Sequence, residues 1–245
     1  KPEMPTSSGL RRLLGSESTP PASAGKIPTP DLDCQTCGGT GWEYIEGKGA
    51  LRCDCLRRSI RQIKLATIPP LYRMASIATA VADPNRHKVQ PTLFEMLRGR
   101  PDASYVLCGS NGSGKTMAGW MLYRWAVEHD KPAVGLTCAE LVAQYRAWQF
   151  DAEKVPVIEP GDLKTGEKRL LFLDELDKAR PTEFAAETLF HLFDAAYSYQ
   201  HQIVVTSNTP LEGLAEHWSR NAITIGPSIV RRLMEIHNGI LVDMF

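Results

Sequence analysis

Long apolar runs are missing from this chain. No stretch of about 18 consecutive apolar residues occurs, so the sequence predicts no membrane span. Net charge is missing as well. Twenty-eight Lys and Arg balance 28 Asp and Glu, so any contact with nucleic acid or lipid has to come from a local patch rather than a global field. The residues that open at Lys1 show no charged-then-apolar leader pattern. Cysteine is scarce outside one place, since four of the six lie between Cys34 and Cys55. A cytoplasmic setting is expected, and structural disulfides are not.

The rest of the composition is ordinary. With 43% apolar and 23% charged residues, the 245-residue chain has room for one sizeable domain and a small module. Residues 1–33 are rich in Pro, Ser, Thr and Gly and read as a disordered or linker tail. Within them "LRRLLG" (10–15) reads either as a docking turn or as scattered leucines in a solvated tail. Residues 34–66 hold the cysteine module and a basic helix, in which Leu56, Ile60, Ile63 and Leu65 recur at roughly helical spacing. "TIPPLYRMASIATA" breaks that pattern, and 67–89 reads as a linker. From about 90 to 245, apolar strands ("SYVLCG", "PAVGLTC", "RLLFLDE", "QIVVTSN") alternate with amphipathic helices, which predicts a parallel sheet flanked by helices.

"GSNGSGKT" (109–116) follows a predicted strand and opens a predicted helix, the setting of a phosphate-binding loop. Gly109, Gly112 and Gly114 let the backbone curl. The N–H groups of Gly109, Ser110, Asn111, Gly112, Ser113 and Gly114 can then face phosphate oxygens of ATP. Lys115 would reach the β and γ phosphates, and Thr116 would offer its hydroxyl to Mg²⁺. "LLFLDELD" (170–177) ends an apolar strand in acids. Asp174 is placed at Mg²⁺ and Glu175 where it polarises the attacking water, while Asp177 reads as structural. Asn208, ending "VVTSN", is read as orienting that water, the alternative being a simple turn.

"GSNGSGKT", "LLFLDELD", "VVTSN" and "IVRRLMEI", in that order, resemble the AAA+ ATPases, and within them the bacterial and phage replicative helicase loaders of the DnaC/DnaI type. "IPPLYRMAS" looks like the linker those proteins carry before the core, and no separate lid domain is expected after "IVRRL". The resemblance implies an ATPase that binds a hexameric replicative DNA helicase and promotes its loading onto single-stranded DNA. It also implies self-association through the ATPase domain. Arg232 would then be the arginine finger completing a neighbour's site, with Arg231 and the weaker Arg220 as rivals. The IstB-type transposition ATPases, which assemble on duplex DNA, share this core and are the alternative.

The cysteines follow C-x2-C-x15-C-x-C. Cys34, Cys37, Cys53 and Cys55 have the makings of one tetrahedral Zn²⁺ site, with Gly38, Gly39 and Gly41 allowing the sharp turn after the first pair. A thioredoxin-like redox pair would need its own βαβ fold, and a co-chaperone cysteine repeat would need several copies; neither is found. Cys108 and Cys138 fall in predicted strands and read as core. Tyr145, Arg146, Trp148 and Phe150 could stack single-stranded DNA, but helical spacing assigns most of them to the core and leaves Arg146 open.

Overall fold

A computed structural model describes residues 27–78, 91–164, 167–220, 225–236 and 239–245. "LRRLLG" lies outside the described residues.

Between the two cysteine pairs the chain forms a hairpin, β1 (Trp42–Ile45) and β2 (Gly49–Arg52), paired antiparallel with Trp42 opposite Arg52. Strands of four residues are too short for periodicity to reveal in the sequence. Gly38, Gly39 and Gly41 take φ of +58°, +83° and +78°. A Cβ on Gly39 would lie 2.8 Å from the Leu32 carbonyl oxygen, so the turn needs glycine there on both counts. Helix α1 (Asp54–Ala66) starts between Cys53 and Cys55 and runs into a 3₁₀ turn at Pro70–Tyr72.

The larger part is a five-stranded sheet. Its strands are β3 (Ser104–Gly109), β4 (Ala133–Thr137), β5 (Leu170–Asp174), β6 (Gln202–Ser207) and β7 (Gly239–Met244). The spatial order is β4-β5-β6-β3-β7, and every neighbouring pair is parallel. Helices α2 (Pro91–Gly99), α3 (Lys115–Glu128), α4 (Cys138–Phe150), α5 (Glu183–Ser198), α6 (Leu211–Ser219) and α7 (Gly226–Met234) cover it.

Alternation along the strands sends side chains to two separate cores. Tyr105, Leu107, Phe172 and Val204 pack with Trp120, Met121 and Leu122 of α3 and with Leu93 and Leu97 of α2. Val106, Leu171, Leu173, Ile203 and Val205 pack on the other face with α4, α5, α6 and α7. Burial on both faces explains why these strands read as continuous apolar runs. Trp120 meets the Phe172 ring edge-on, centroids 5.1 Å apart. A Cβ on Gly119 would fall 2.1 Å from that ring, so the bare glycine is what lets α3 sit down on β5.

Two expectations shift in detail. Cys138 is fully buried but opens α4 rather than ending β4, because Thr137 and Glu140 form a reciprocal capping box that starts the helix there. Of the aromatic group, Tyr145 is core and donates from its hydroxyl to Ile158 O at 2.9 Å, and Trp148 packs against the same cluster. Phe150 is 86% exposed, and Arg146 lies over the Phe184 ring. Among the described residues no helix is long and apolar enough to cross a membrane.

Candidate functional site

The strand order reverses at β3. The chain leaves β3 for the far edge at β4, returns through β5 and β6, and reaches β7 on the opposite side. Ligands of open α/β sheets bind at the carboxyl ends beside such a reversal. Gly109, Asp174 and Ser207 are the last residues of β3, β5 and β6, so the predicted site residues collect at one end of the sheet.

The loop 110–114 joins β3 to α3. Gly112 and Gly114 adopt φ of +80° and +94°, the conformation their lack of a Cβ permits. Gly109 is needed for another reason: a Cβ there would meet the Met244 side chain of β7 at 2.7 Å. Gly114 precedes α3 without any side-chain cap, and no acid lies in the first turn, so the positive end of the helix faces the loop uncompensated. Ser110 and Asn111 are exposed at the tip. Lys115 is buried and donates to Gly109 O (2.7 Å), Ser110 O (2.8 Å) and Ser113 Oγ (3.3 Å). The ammonium thus rests on the loop's own carbonyls, where a phosphate oxygen would compete for it. Burial lowers its pKa, and the carboxylates of Asp177 and then Asp174 oppose that shift.

Asp174 is 8% exposed, and burial raises its carboxyl pKa against the hydrogen bonds it accepts. Its Oδ1 accepts from Thr116 Oγ1 at 3.0 Å and from Thr206 Oγ1 at 2.5 Å. Thr206 in turn accepts from the Glu175 N–H at 2.9 Å. Thr206 went unnoticed in the sequence, where it is one more β-branched residue of an apolar strand. Glu175 sits at φ +56°, a left-handed conformation that an acid adopts at a cost. Tyr72 of the 3₁₀ turn stacks on Trp120, and its hydroxyl pKa is raised by burial and by the charges of Asp174 and Glu175. Asn208 follows β6 and is gripped by Asp177: its N–H donates to Oδ1 at 2.9 Å, and its Nδ2 lies 3.4 Å from Oδ2.

The three arginines sit elsewhere. Arg232 on α7 is turned onto its own chain, 2.7 Å from Asp194 and 2.9 Å from Glu235, with its guanidinium over Tyr197. Arg231 is far more exposed and pairs with Glu235 at 3.1 Å. Arg220 is exposed just after α6.

The four cysteines converge. Their sulfurs all lie within 4.8 Å of one another, with Cys34–Cys53 at 3.8 Å and Cys37–Cys55 at 3.6 Å. Tetrahedral thiolates at the usual zinc distance stand about 3.8 Å apart, so the donor set fits Zn²⁺. The Gly41 N–H donates to Cys37 Sγ at 3.3 Å. Backbone N–H groups of Cys37 and Thr36 hold the Cys34 thiol down to about 6, while the Glu43 side chain raises Cys53 and burial raises Cys55, so without a cation the four thiols do not all favour the thiolate. Helix α1 carries this cluster onto the core. Arg61 pairs with Asp130 at 2.9 Å, and the Tyr123 hydroxyl of α3 reaches Lys64 O at 3.3 Å and Thr67 Oγ1 at 3.1 Å.

A phosphate loop opening α3, an acid-ended β5, a polar-ended β6 and this strand order together make a P-loop AAA+ α/β fold, preceded by a four-cysteine cluster that fits a zinc module. No protein-family model and no curated protein matches the chain. Solved structures do. The DnaC helicase loader superposes at TM-score 0.52 and 17% identity, over 72% of this chain and 100% of that one. DnaI superposes at 0.53 and 16%, over 73% and 95%. AMPPCP-bound DnaA from Aquifex aeolicus superposes at 0.54 and 16%, over 73% of this chain. The present chain spans about half of that DnaA, 51% of its length.

Proposed function

We propose that the chain is an ATP-driven loader of a replicative DNA helicase. The single observation carrying the ATPase part is the hydrogen bond between Thr116 and Asp174, with Lys115 and Glu175 beside it. In this reading the loop from Gly109 to Thr116 cradles the phosphates of ATP. Lys115 exchanges its carbonyl partners for phosphate oxygens, and Thr116 and Asp174 hold Mg²⁺. Glu175 takes a proton from the attacking water, and Asn208 orients that water. The bound metal would neutralise charge developing on the phosphates. Arg232, released from Asp194, reaches the γ-phosphate of a neighbouring copy, so turnover depends on self-association.

The loader part rests on the superposition with DnaC over that structure's whole length and with DnaI over nearly all of its own. The zinc module serves as a rigid adaptor for the partner, and residues 34–66, 67–89 and 90–245 divide the work into adaptor, linker and motor. Single-stranded DNA is the substrate onto which the helicase is placed. Steady-state ATP hydrolysis by the chain and by Lys115→Ala tests the ATPase part. Mg²⁺-dependent turnover that the variant loses supports it, and equal rates refute it. Filaments on duplex DNA in ATP would instead support the transposition alternative.

A further inference from the structure

The acids of "LDELD" do not divide into two functional residues and a structural bystander. Asp177 lies on the 3₁₀ turn Leu176–Lys178, directly after the strained Glu175. It reaches across to the end of β6 and takes two donors from one residue, the N–H of Asn208 at 2.9 Å and its Nδ2 at 3.4 Å. A carboxylate only accepts hydrogen bonds, so the end of the carboxamide facing it is the NH₂ end. That determines the flip of Asn208 and turns its Oδ1, an acceptor, away from Asp177. An acceptor is what a water needs if it is to be oriented while it loses a proton to a base. The strand ends β5 and β6 are therefore tied by two rungs, one through Thr206 to Asp174 and Glu175, the other through Asp177 to Asn208.

We propose that Asp177 is a positioning residue that sets the orientation of the Asn208 carboxamide at the end of β6. Its catalytic consequence rests on the ATPase reading above; its structural consequence does not.

The test is a double-mutant cycle on the full chain with Asp177→Ala, Asn208→Ala and both together. It is read as kcat and KM for Mg·ATP, with the Asn208 side-chain amide followed by NMR. Asp177→Ala is expected to lower kcat about tenfold to a hundredfold while KM moves less than about threefold. The double variant is expected to be no slower than Asn208→Ala alone, because Asp177 acts through Asn208. The Asn208 amide resonance is expected to shift in Asp177→Ala. Asp177→Asn, which can still accept the Asn208 N–H and disturbs the fold least, recovers part of kcat and stands in if the alanine variant does not fold. Losses that multiply in the double variant overturn the proposal, as does an Asp177→Ala protein with unchanged kcat and an unmoved amide. A wild-type chain without ATP turnover would refute the proposed function, and the resonance alone would then decide the role of Asp177: a shift supports it and an unmoved signal overturns it.

Discussion

The Thr116 hydroxyl donates to Asp174 Oδ1 across 3.0 Å, joining the residue after the loop lysine to the last residue of β5. These two groups would share a magnesium ion, and they are already together. Asp174 is buried, and two hydroxyl donors do not offset the loss of water, so its pKa is raised.

A buried carboxylate of this kind costs stability that a cation would restore. Asp174→Asn is therefore expected to raise the Tm of the nucleotide-free protein by about 2–4 °C, the shift for roughly 1 kcal/mol in a chain this long. The same variant should lose ATP turnover and the Tm increase that Mg·ATP gives. Differential scanning fluorimetry with and without Mg·ATP checks both. A lower Tm would show that the Thr116 and Thr206 bonds outweigh desolvation.

The cysteine cluster predicts one zinc per chain. Native and denaturing mass spectra should differ by one zinc ion, and Cys53→Ser should abolish the difference. So short a module has little core of its own, so metal loss should unfold it. Limited proteolysis is then expected to cut within 34–55 while the sheet survives. A chain that holds no zinc and still resists cleavage would refute the assignment.

Arg232 is tied to Asp194 on its own chain at 2.7 Å. If it serves a neighbour, Arg232→Ala should lower kcat about 10³-fold at concentrations where copies assemble. Arg231→Ala should stay within about threefold, since surface arginine pairs contribute little. Asp194→Ala separates the two roles of Arg232: it removes one of the two carboxylates that hold the guanidinium on its own chain, so its kcat should equal or exceed wild type. A collapse with Arg231→Ala instead would move the finger by one residue.

Strands β3 to β6 and the loop were legible because burial on both faces writes continuous apolar runs and because a phosphate loop needs glycines at set positions; the edge strand β7, largely exposed, writes no such run and was not. Both ends of β3 and the starts of β6 and α3 fall where the pattern puts them, while β6 stops at Ser207, one residue short of the expected Asn208. The β1–β2 hairpin was not legible, since its few residues give no period. Asp177 and Thr206 were hidden for a different reason. Their importance lies in partners about 30 residues away, a pairing of strand ends that composition and spacing do not carry. The internal pairing of Arg232 was hidden in the same way: Asp194 is merely one polar position on an amphipathic helix until α7 packs beside it.

His201 predicts how stability responds to acid. It is 2% exposed, with Nε2 2.7 Å from Leu163 O and Nδ1 accepting from the Arg169 N–H at 3.0 Å. Those partners require a neutral ring with its proton on Nε2, and burial lowers its pKa below the ordinary histidine value. The unfolded chain takes up a proton near pH 6.5, the folded one only at lower pH. In that window the unfolded state binds more protons, so stability holds above about pH 6.5 and falls as the pH drops from there to the folded pKa. Urea midpoints at about pH 7.5 and about pH 5.5 should show the loss, and His201→Gln should shrink it. An equal loss in the variant would place the effect elsewhere.

The measurement that tests the account most directly is native mass spectrometry of the chain mixed with the replicative DNA helicase of its source organism, with and without ATP. A defined complex that weakens when zinc is removed is expected. No complex under any nucleotide condition would contradict it.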